Sequence, residues 1–155
     1  MSYIFHALST KEVENWRSGG VDANRQSPAR ATSDGGGNPC RYCLNDIPEG
    51  AEMLILACRP FSHLNCYSEV GPIFLCAECE RYDDGTQVPP VLASRERHLF
   101  KGYSADGRIV YGTGEIVETV DISAYLEKSF AQDEVRYVHV RSATNNCFTL
   151  RIDQS

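Results

Sequence analysis

Two pairs of cysteines, each with two residues between them, are the part of this sequence best suited to chemistry. Cys40 and Cys43 lie in "NPCRYCLND", and Cys76 and Cys79 lie in "CAEC". A Cys-x2-Cys turn presents two sulfurs on one side, and two such turns supply the four soft ligands that a tetrahedral zinc ion takes. We therefore predict one zinc ion bound by these four cysteines. The alternative interpretation is that some of them are small, buried core residues.

A third pair with the same spacing, His63 and Cys66 in "HLNC", offers alternate ligands. Because a structural zinc ion takes four ligands, this pair either replaces one of the cysteine pairs or lies outside the site. The polar stretch "FSHLNCYSE" indicates a loop, where a ligand pair could also lie. Cys58 lies within an apolar run and is expected in the core.

A redox function for Cys40 and Cys43 is the rival hypothesis. A redox Cys-x2-Cys motif needs a helix directly after it, because the helix N-terminus lowers the pKa of the first thiol. Here "LNDIPEG" follows the motif, and Pro48 and Gly50 would end a helix early. The pattern therefore favours metal binding over redox chemistry.

A candidate catalytic group lies near the C-terminus, in "YVHVRSATNNCF". His139 and Arg141 share one face of an alternating strand, and Cys147 follows the turn at "TNN". A histidine can act as a general base, an arginine can hold an anion, and a cysteine paired with a histidine can be a nucleophile. The alternative is that His139 is a half-buried structural residue of the strand.

Composition excludes several classes of protein. The chain has 155 residues, a formal net charge of -6 and seven cysteines. An acidic chain without a basic face is not expected to bind nucleic acid. No apolar run is long enough for a membrane span, and the N-terminus does not resemble a signal peptide. We therefore expect a cytoplasmic protein, and because disulfides are rare in a reducing cytosol, the cysteines are expected to bind metal, to react or to be buried.

The N-terminal half shows alternating elements and loops. A short strand is expected in "SYIFHAL", followed by a helix capped by Ser9, which lies three residues before Glu12 in a capping-box pattern. Gly19 and Gly20 end this helix. The polar segment 21–39 is a loop long enough to contain a strand near "ARATS". The apolar runs "EMLILACRPF" and "GPIFLC" are typical of buried strands.

The pattern of the C-terminal half predicts a hairpin, a helix and a second hairpin. A surface turn in "RYDDGTQVPPV" leads to a hairpin around "ADG", then to a helix in "DISAYLEKSF" with Asp121 as its cap. Strands in "EVRYVHVRSA" and "CFTLRI" flank "TNN". We predict a single α+β domain, 1–155, built from a Cys-containing half (20–80) and a second half (95–153). The expected fold class is α+β, with a mostly antiparallel sheet and two or three helices. It also includes a long Gly/Pro-rich loop and a Cys-rich zinc-type site.

Several longer segments resemble one bacterial family, domain of unknown function 1203. These segments are "PCRYCL", "RPF", "YSEVGPIFL", "ERY", "GRIVYGTG" and "YVHVRSATNNCF", and the resemblance covers most of residues 39 to 152. Members similar to this chain carry a C-R-H-C segment and a downstream H-A-E-P-C segment. Here Cys76 stands where that histidine would be, and "CAEC" is one residue shorter. The resemblance implies a bacterial protein, but it brings no reaction.

Three functional hypotheses remain open on the sequence. The first is a protein with one structural zinc ion and no assignable activity, and the second is a small enzyme with a pocket near His139, Arg141 and Cys147. The third is a protein-interaction module, since zinc-stapled loops often present binding surfaces. Four closed cysteine ligands favour structure or interaction, whereas an open coordination position favours catalysis. The sequence defines no substrate, partner or oligomeric state.

Overall fold

The strands form two antiparallel sheets in the computed structural model, which describes residues 2–155. The larger sheet has five strands in the order β1-β8-β7-β5-β6, and the smaller has the order β2-β3-β4. The strands are β1 (Tyr3–His6), β2 (Ala29–Thr32), β3 (Glu52–Cys58), β4 (Gly71–Cys76), β5 (Arg97–Tyr103), β6 (Glu115–Glu118), β7 (Tyr137–Ser142) and β8 (Phe148–Gln154). With the three helices below, this architecture confirms the α+β prediction.

The helices are α1 (Thr10–Arg17), α2 (Pro90–Ala93) and α3 (Ile122–Phe130). The cap predicted for α1 is present, because the Glu12 backbone N–H donates to Ser9 Oγ over 3.3 Å. α2 was missed by the sequence analysis, which assigned this segment to a surface turn. Pro90 suits the first turn of a helix, where its missing N–H costs nothing, and Val91 and Leu92 are buried. Within the described residues, no helix has the length and apolar character needed to cross a membrane.

The expected cap of α3 is wrong. Asp121 makes no side-chain capping hydrogen bond, because a 3-10 turn, Thr119–Asp121, runs directly into the helix. An N-cap residue needs an extended backbone, whereas Asp121 has φ -102° and ψ 5°. The start of this segment is held instead by Thr119, whose backbone N–H donates to the Glu96 carbonyl over 2.8 Å.

The predicted hairpin around "ADG" has a shorter second strand than its alternating pattern indicates. β6 begins only at Glu115, and it pairs with Arg97–Phe100 of β5. Before it, the side chain of Thr113 donates to the Val110 carbonyl over 2.6 Å and accepts from the Gly102 N–H over 2.8 Å. These bonds fold residues 104–114 into an irregular loop against β5.

Each sheet has its own apolar core. The core of the larger sheet is formed on one face of β7 and β8 and on α3, and it includes Phe100, Leu126, Val138 and Ile152. The core of the smaller sheet includes Leu54 and Leu75 together with Val13 and Trp16 of α1. Alternation along β7 therefore sends Val138 and Val140 into the larger core and leaves the opposite face to polar and aromatic residues.

Candidate metal centre

The four cysteines of the two Cys-x2-Cys motifs come together at one end of the smaller sheet. Their sulfur atoms all lie within 4.8 Å of one another. Cys40 Sγ lies 3.9 Å from Cys79 Sγ, and Cys43 Sγ lies 3.8 Å from Cys76 Sγ. A tetrahedron with Zn–S bonds of about 2.3 Å has S–S edges of about 3.8 Å, whereas a disulfide needs about 2.05 Å. The spacing therefore suits an ion at the centre and not a pair of disulfides.

The first motif forms a tight turn whose backbone N–H groups point at Cys40 Sγ. The N–H groups of Tyr42 and Cys43 donate to Cys40 Sγ over 3.4 and 3.5 Å, and the Cys76 N–H does so over 3.2 Å. Hydrogen bonds to the charged form stabilise a thiolate. The turn closes when the Leu44 N–H donates to the Cys40 carbonyl over 3.1 Å.

Leu44 departs from what its residue type predicts, because its φ is 56°. This left-handed conformation is unfavourable for a residue with a Cβ, and it is usually taken by glycine. The side chain of Leu44 is fully buried in the core of the larger sheet. Burial of a leucine offsets the conformational cost, so a position that suits glycine is occupied by an anchoring apolar residue.

The second motif begins where β4 ends. The register Met53↔Cys76 places Cys76 at the last pair of the β3–β4 ladder, and the Ala77 N–H continues to the Glu52 carbonyl over 3.0 Å. Cys40 forms an isolated bridge with Phe74. The end of the sheet thus aligns the two turns, although residues 44–75 separate them in the sequence.

Arg17, at the end of α1, contacts the cysteine cluster, and the sequence analysis did not expect this contact. Its Nη2 lies 3.3 Å from Cys79 Sγ, and it donates to the carbonyls of Cys76 and Cys79 over 3.1 and 3.3 Å. Its guanidinium also lies 4.9 Å from the centre of the Tyr42 ring. A cation here offsets negative charge on the sulfurs. No local pattern in the sequence indicates this contact, because it depends on how α1 packs on the smaller sheet.

Close contact between the four thiols lowers the pKa values of some of them and raises those of others. Hydrogen bonds from the neighbouring thiols, first from Cys43, lower the pKa of Cys40. The same proximity, with Cys40 as the largest cause, raises the pKa of Cys76 and of Cys79. Four thiolates in so small a volume therefore repel one another, and a bound cation would relieve that repulsion.

His63 and Cys66 lie outside this cluster, in the loop 59–70 that connects β3 and β4. The ladder begins with Cys58↔Gly71 at the loop and finishes with Met53↔Cys76 at the metal centre, so the two ends are separated by the whole pairing. The loop packs elsewhere, since the Asn65 side-chain amide donates to the Asp106 carbonyl over 2.9 Å. Cys58 is buried as expected, and burial raises its pKa to about 12.

Comparison with known proteins identifies the family. The family model described as "Protein of unknown function (DUF1203)" matches residues 37–154. The chain belongs to this family. Comparison of this chain with curated proteins and with solved structures finds no match. The DUF1203 match includes all four clustered cysteines and begins after α1, so Arg17 lies outside the matched segment.

The C-terminal candidates of the DUF1203 chain lie in two different places. His139 is fully buried and lines a cavity of about 250 Å³ together with Phe61 and Phe148. Cys147 lines another cavity, of about 500 Å³, together with Arg41. Arg141 is buried beside His139 on the same face of β7. Of the three candidates, His139 and Arg141 therefore lie together, whereas Cys147 lines the other cavity.

Proposed function

We propose that this DUF1203 protein binds one zinc ion through Cys40, Cys43, Cys76 and Cys79. The single observation that carries the proposal is the arrangement of the four sulfurs, with two S–S separations of 3.8 and 3.9 Å. Four thiolates in a tetrahedron are typical of zinc or of an iron centre. Zinc is favoured because divalent zinc binds such sites more strongly than divalent iron.

We propose further that the role of the ion is structural. All four ligands come from the protein, so the tetrahedron is closed and has no position for a water or substrate. The ion would join the turn at residues 40–43 to the end of β4, next to α1. No reaction is assigned by the family or by the cysteine cluster. A cytoplasmic location belongs to the proposal, since a reducing compartment keeps the free thiols available to a metal.

Elemental analysis of protein purified without added metal tests the proposal. We expect about one zinc per chain, because a closed site of four cysteine ligands retains its ion through purification. Cys43→Ser should lower the zinc content strongly, since serine replaces a thiolate ligand with a hydroxyl.

Cys66→Ser is the matched control, because Cys66 is an exposed cysteine outside the cluster. It should keep the zinc content of the wild type. Well-folded wild-type protein without metal would overturn the proposal, and iron in place of zinc would retain the site but correct the ion. Loss of zinc in Cys66→Ser would show that the third pair takes part.

A further inference from the structure

The cavity of about 500 Å³ is lined by residues of both sheets, among them Phe74 of β4 and His98 of β5. Its volume lies in the range of small-molecule sites, about 300–1,000 Å³. Pro39 and residues 72–74 give it an apolar wall. None of the four clustered cysteines lines it, so it is separate from the metal centre.

Arg41, which lines this cavity, is a buried cation without an acidic partner. Only 3% of the residue is exposed, and within residues 2–155 it forms no ion pair. The cluster sulfurs do not pair with its guanidinium either, since the arginine in contact with them is Arg17. Buried charges in proteins are normally paired, so an unpaired guanidinium beside a cavity indicates a site for an anion.

The guanidinium of Arg41 is fixed and keeps one nitrogen free. Its Nε donates to the Phe148 carbonyl over 2.7 Å, and its Nη1 donates to the Pro39 carbonyl over 2.6 Å. Nη2 has no hydrogen-bond partner among the described residues, yet it does not belong to the unpaired atoms that are sealed from solvent. Because Arg41 lines the cavity, Nη2 is the donor that a ligand there meets.

The other two arginines of the lining already have acidic partners. Arg95 Nη2 lies 2.7 Å from Asp46 Oδ1, and Arg97 lies 3.6 Å from Glu96 and 3.5 Å from Glu118. Both groups are partly exposed, so solvent screens their charges. The buried guanidinium is therefore the one charge of the lining that an anion meets out of water, and a single guanidinium matches a single carboxylate.

A thiol lies close to Arg41 in the same cavity. Cys147 lines the cavity as a partly exposed free cysteine, and the next residue, Phe148, accepts the hydrogen bond from Arg41 Nε. The Cys147 thiol donates to the Asn145 carbonyl over 3.7 Å. An anion at Arg41 therefore lies near a group that can be alkylated, and the rate of alkylation reports on the site.

We propose that this cavity binds a small monocarboxylate with a short apolar body. The carboxylate accepts from Nη2 of Arg41, and the apolar body lies against Pro39 and residues 72–74. A carboxylate is favoured over a phosphate group because one buried cation and an apolar wall suit a monovalent ligand, whereas phosphate sites gather several donors. The proposal does not depend on which ion the cysteines bind.

Alkylation of the metal-containing wild type with iodoacetate and with iodoacetamide tests the proposal. Both reagents form a carbon–sulfur bond and release iodide, but only iodoacetate carries a carboxylate. Rates at each cysteine are measured by mass spectrometry of peptides. We expect the ratio of the iodoacetate rate to the iodoacetamide rate to be about tenfold higher at Cys147 than at Cys66, because charge-assisted hydrogen bonds are the stronger ones. Cys66 is the internal control, since it is exposed and lies outside the cavity.

Competition with a ligand of the proposed class gives a second measurement on the wild type. Butyrate should slow the reaction of iodoacetate with Cys147 in a saturable way. Butyramide has nearly the same shape without the charge, and it should leave that rate nearly unchanged. Neither compound should change the rates at Cys66.

Arg41→Gln should abolish the preference for iodoacetate at Cys147. Because Arg41 is buried and holds two carbonyls, this replacement can disturb the fold, and the wild-type rates decide the proposal in that case. Arg97→Gln is the matched control, since Arg97 lines the same cavity but is exposed and paired. It should keep most of the preference. Zinc content is measured in each protein, so that loss of the metal is distinguished from loss of the anion site.

Four results contradict the proposal. Equal rate ratios at Cys147 and Cys66 in the wild type would show that Arg41 only holds the two carbonyls. Equal protection by butyrate and butyramide would show an apolar cavity without a carboxylate site. Loss of the preference in Arg97→Gln as complete as in Arg41→Gln would show a general positive field. Stronger protection by inorganic phosphate than by butyrate would identify a site for a simple anion.

Discussion

Removal of the metal is expected to loosen the smaller sheet and α1 while the five-stranded sheet stays folded. The two sheets have separate cores, and Cys40 and Cys76 belong to the core that also contains Leu54 and Trp16. Structural zinc in small peptides contributes about 10–16 kcal/mol of apparent binding free energy, and whole domains are stable by only about 5–15 kcal/mol. Loss of an ion with that binding free energy is therefore enough to unfold the segment that it holds.

Hydrogen exchange on the chelated protein measures this effect. We expect amides in residues 20–80 and in α1 to lose protection, whereas Val138 and Val140 of β7 remain protected. Cys43→Ser should reproduce the pattern without a chelator, and Cys66→Ser should not. Even loss of protection along the chain would show one cooperative unit that needs the metal throughout. Unchanged protection would show that the ion has no structural role.

Substitution of Leu44 is expected to have the second large effect. Leu44→Ala removes a fully buried side chain from the larger core, which typically costs about 2–5 kcal/mol of the free energy of unfolding. Leu44→Gly removes one carbon more, yet we expect it to be the more stable of the two by about 1 kcal/mol. The reason is the φ of 56°, since a residue with a Cβ is disfavoured by about 1–2 kcal/mol in the left-handed region and glycine is not.

Urea unfolding of the four variants at two positions tests this reversal. Leu126 is also buried in the larger core, but it lies in α3. There alanine should be more stable than glycine by about 1 kcal/mol, because glycine is unfavourable inside a helix. The order of alanine and glycine should therefore be opposite at positions 44 and 126. Alanine more stable than glycine at both would show that the turn at Leu44 is not left-handed in solution.

Much of the local structure could be predicted from the sequence. The spacing of Ser9 and Glu12 located the start of α1, and the apolar runs located β3 and β4. The two Cys-x2-Cys spacings indicated which cysteines could share a centre. In each case the signal is local, because capping, side-chain alternation and a two-residue turn depend on neighbours within a few positions.

At two positions the residue type alone does not predict the observed conformation. Asp121 has the right type for a cap, but the chain reaches α3 through a 3-10 turn held by Thr119. Leu44 has the wrong type for a left-handed turn, but its side chain enters the larger core. Packing against distant elements decided both positions, and a propensity describes only the isolated segment.

Only the tertiary structure could choose between the two possible partners of Cys40 and Cys43. Both Cys76/Cys79 and His63/Cys66 have the right spacing, and the β3–β4 register places the first pair at the end of the sheet and the second pair in the opposite loop. The same kind of long-range placement brings Arg17 to Cys79, sets His139 and Cys147 in separate cavities, and joins Arg41 to the residue after Cys147. Pairing between strands far apart in the chain depends on the side chains of both partners at once. For that reason it cannot be predicted from any single segment of the sequence.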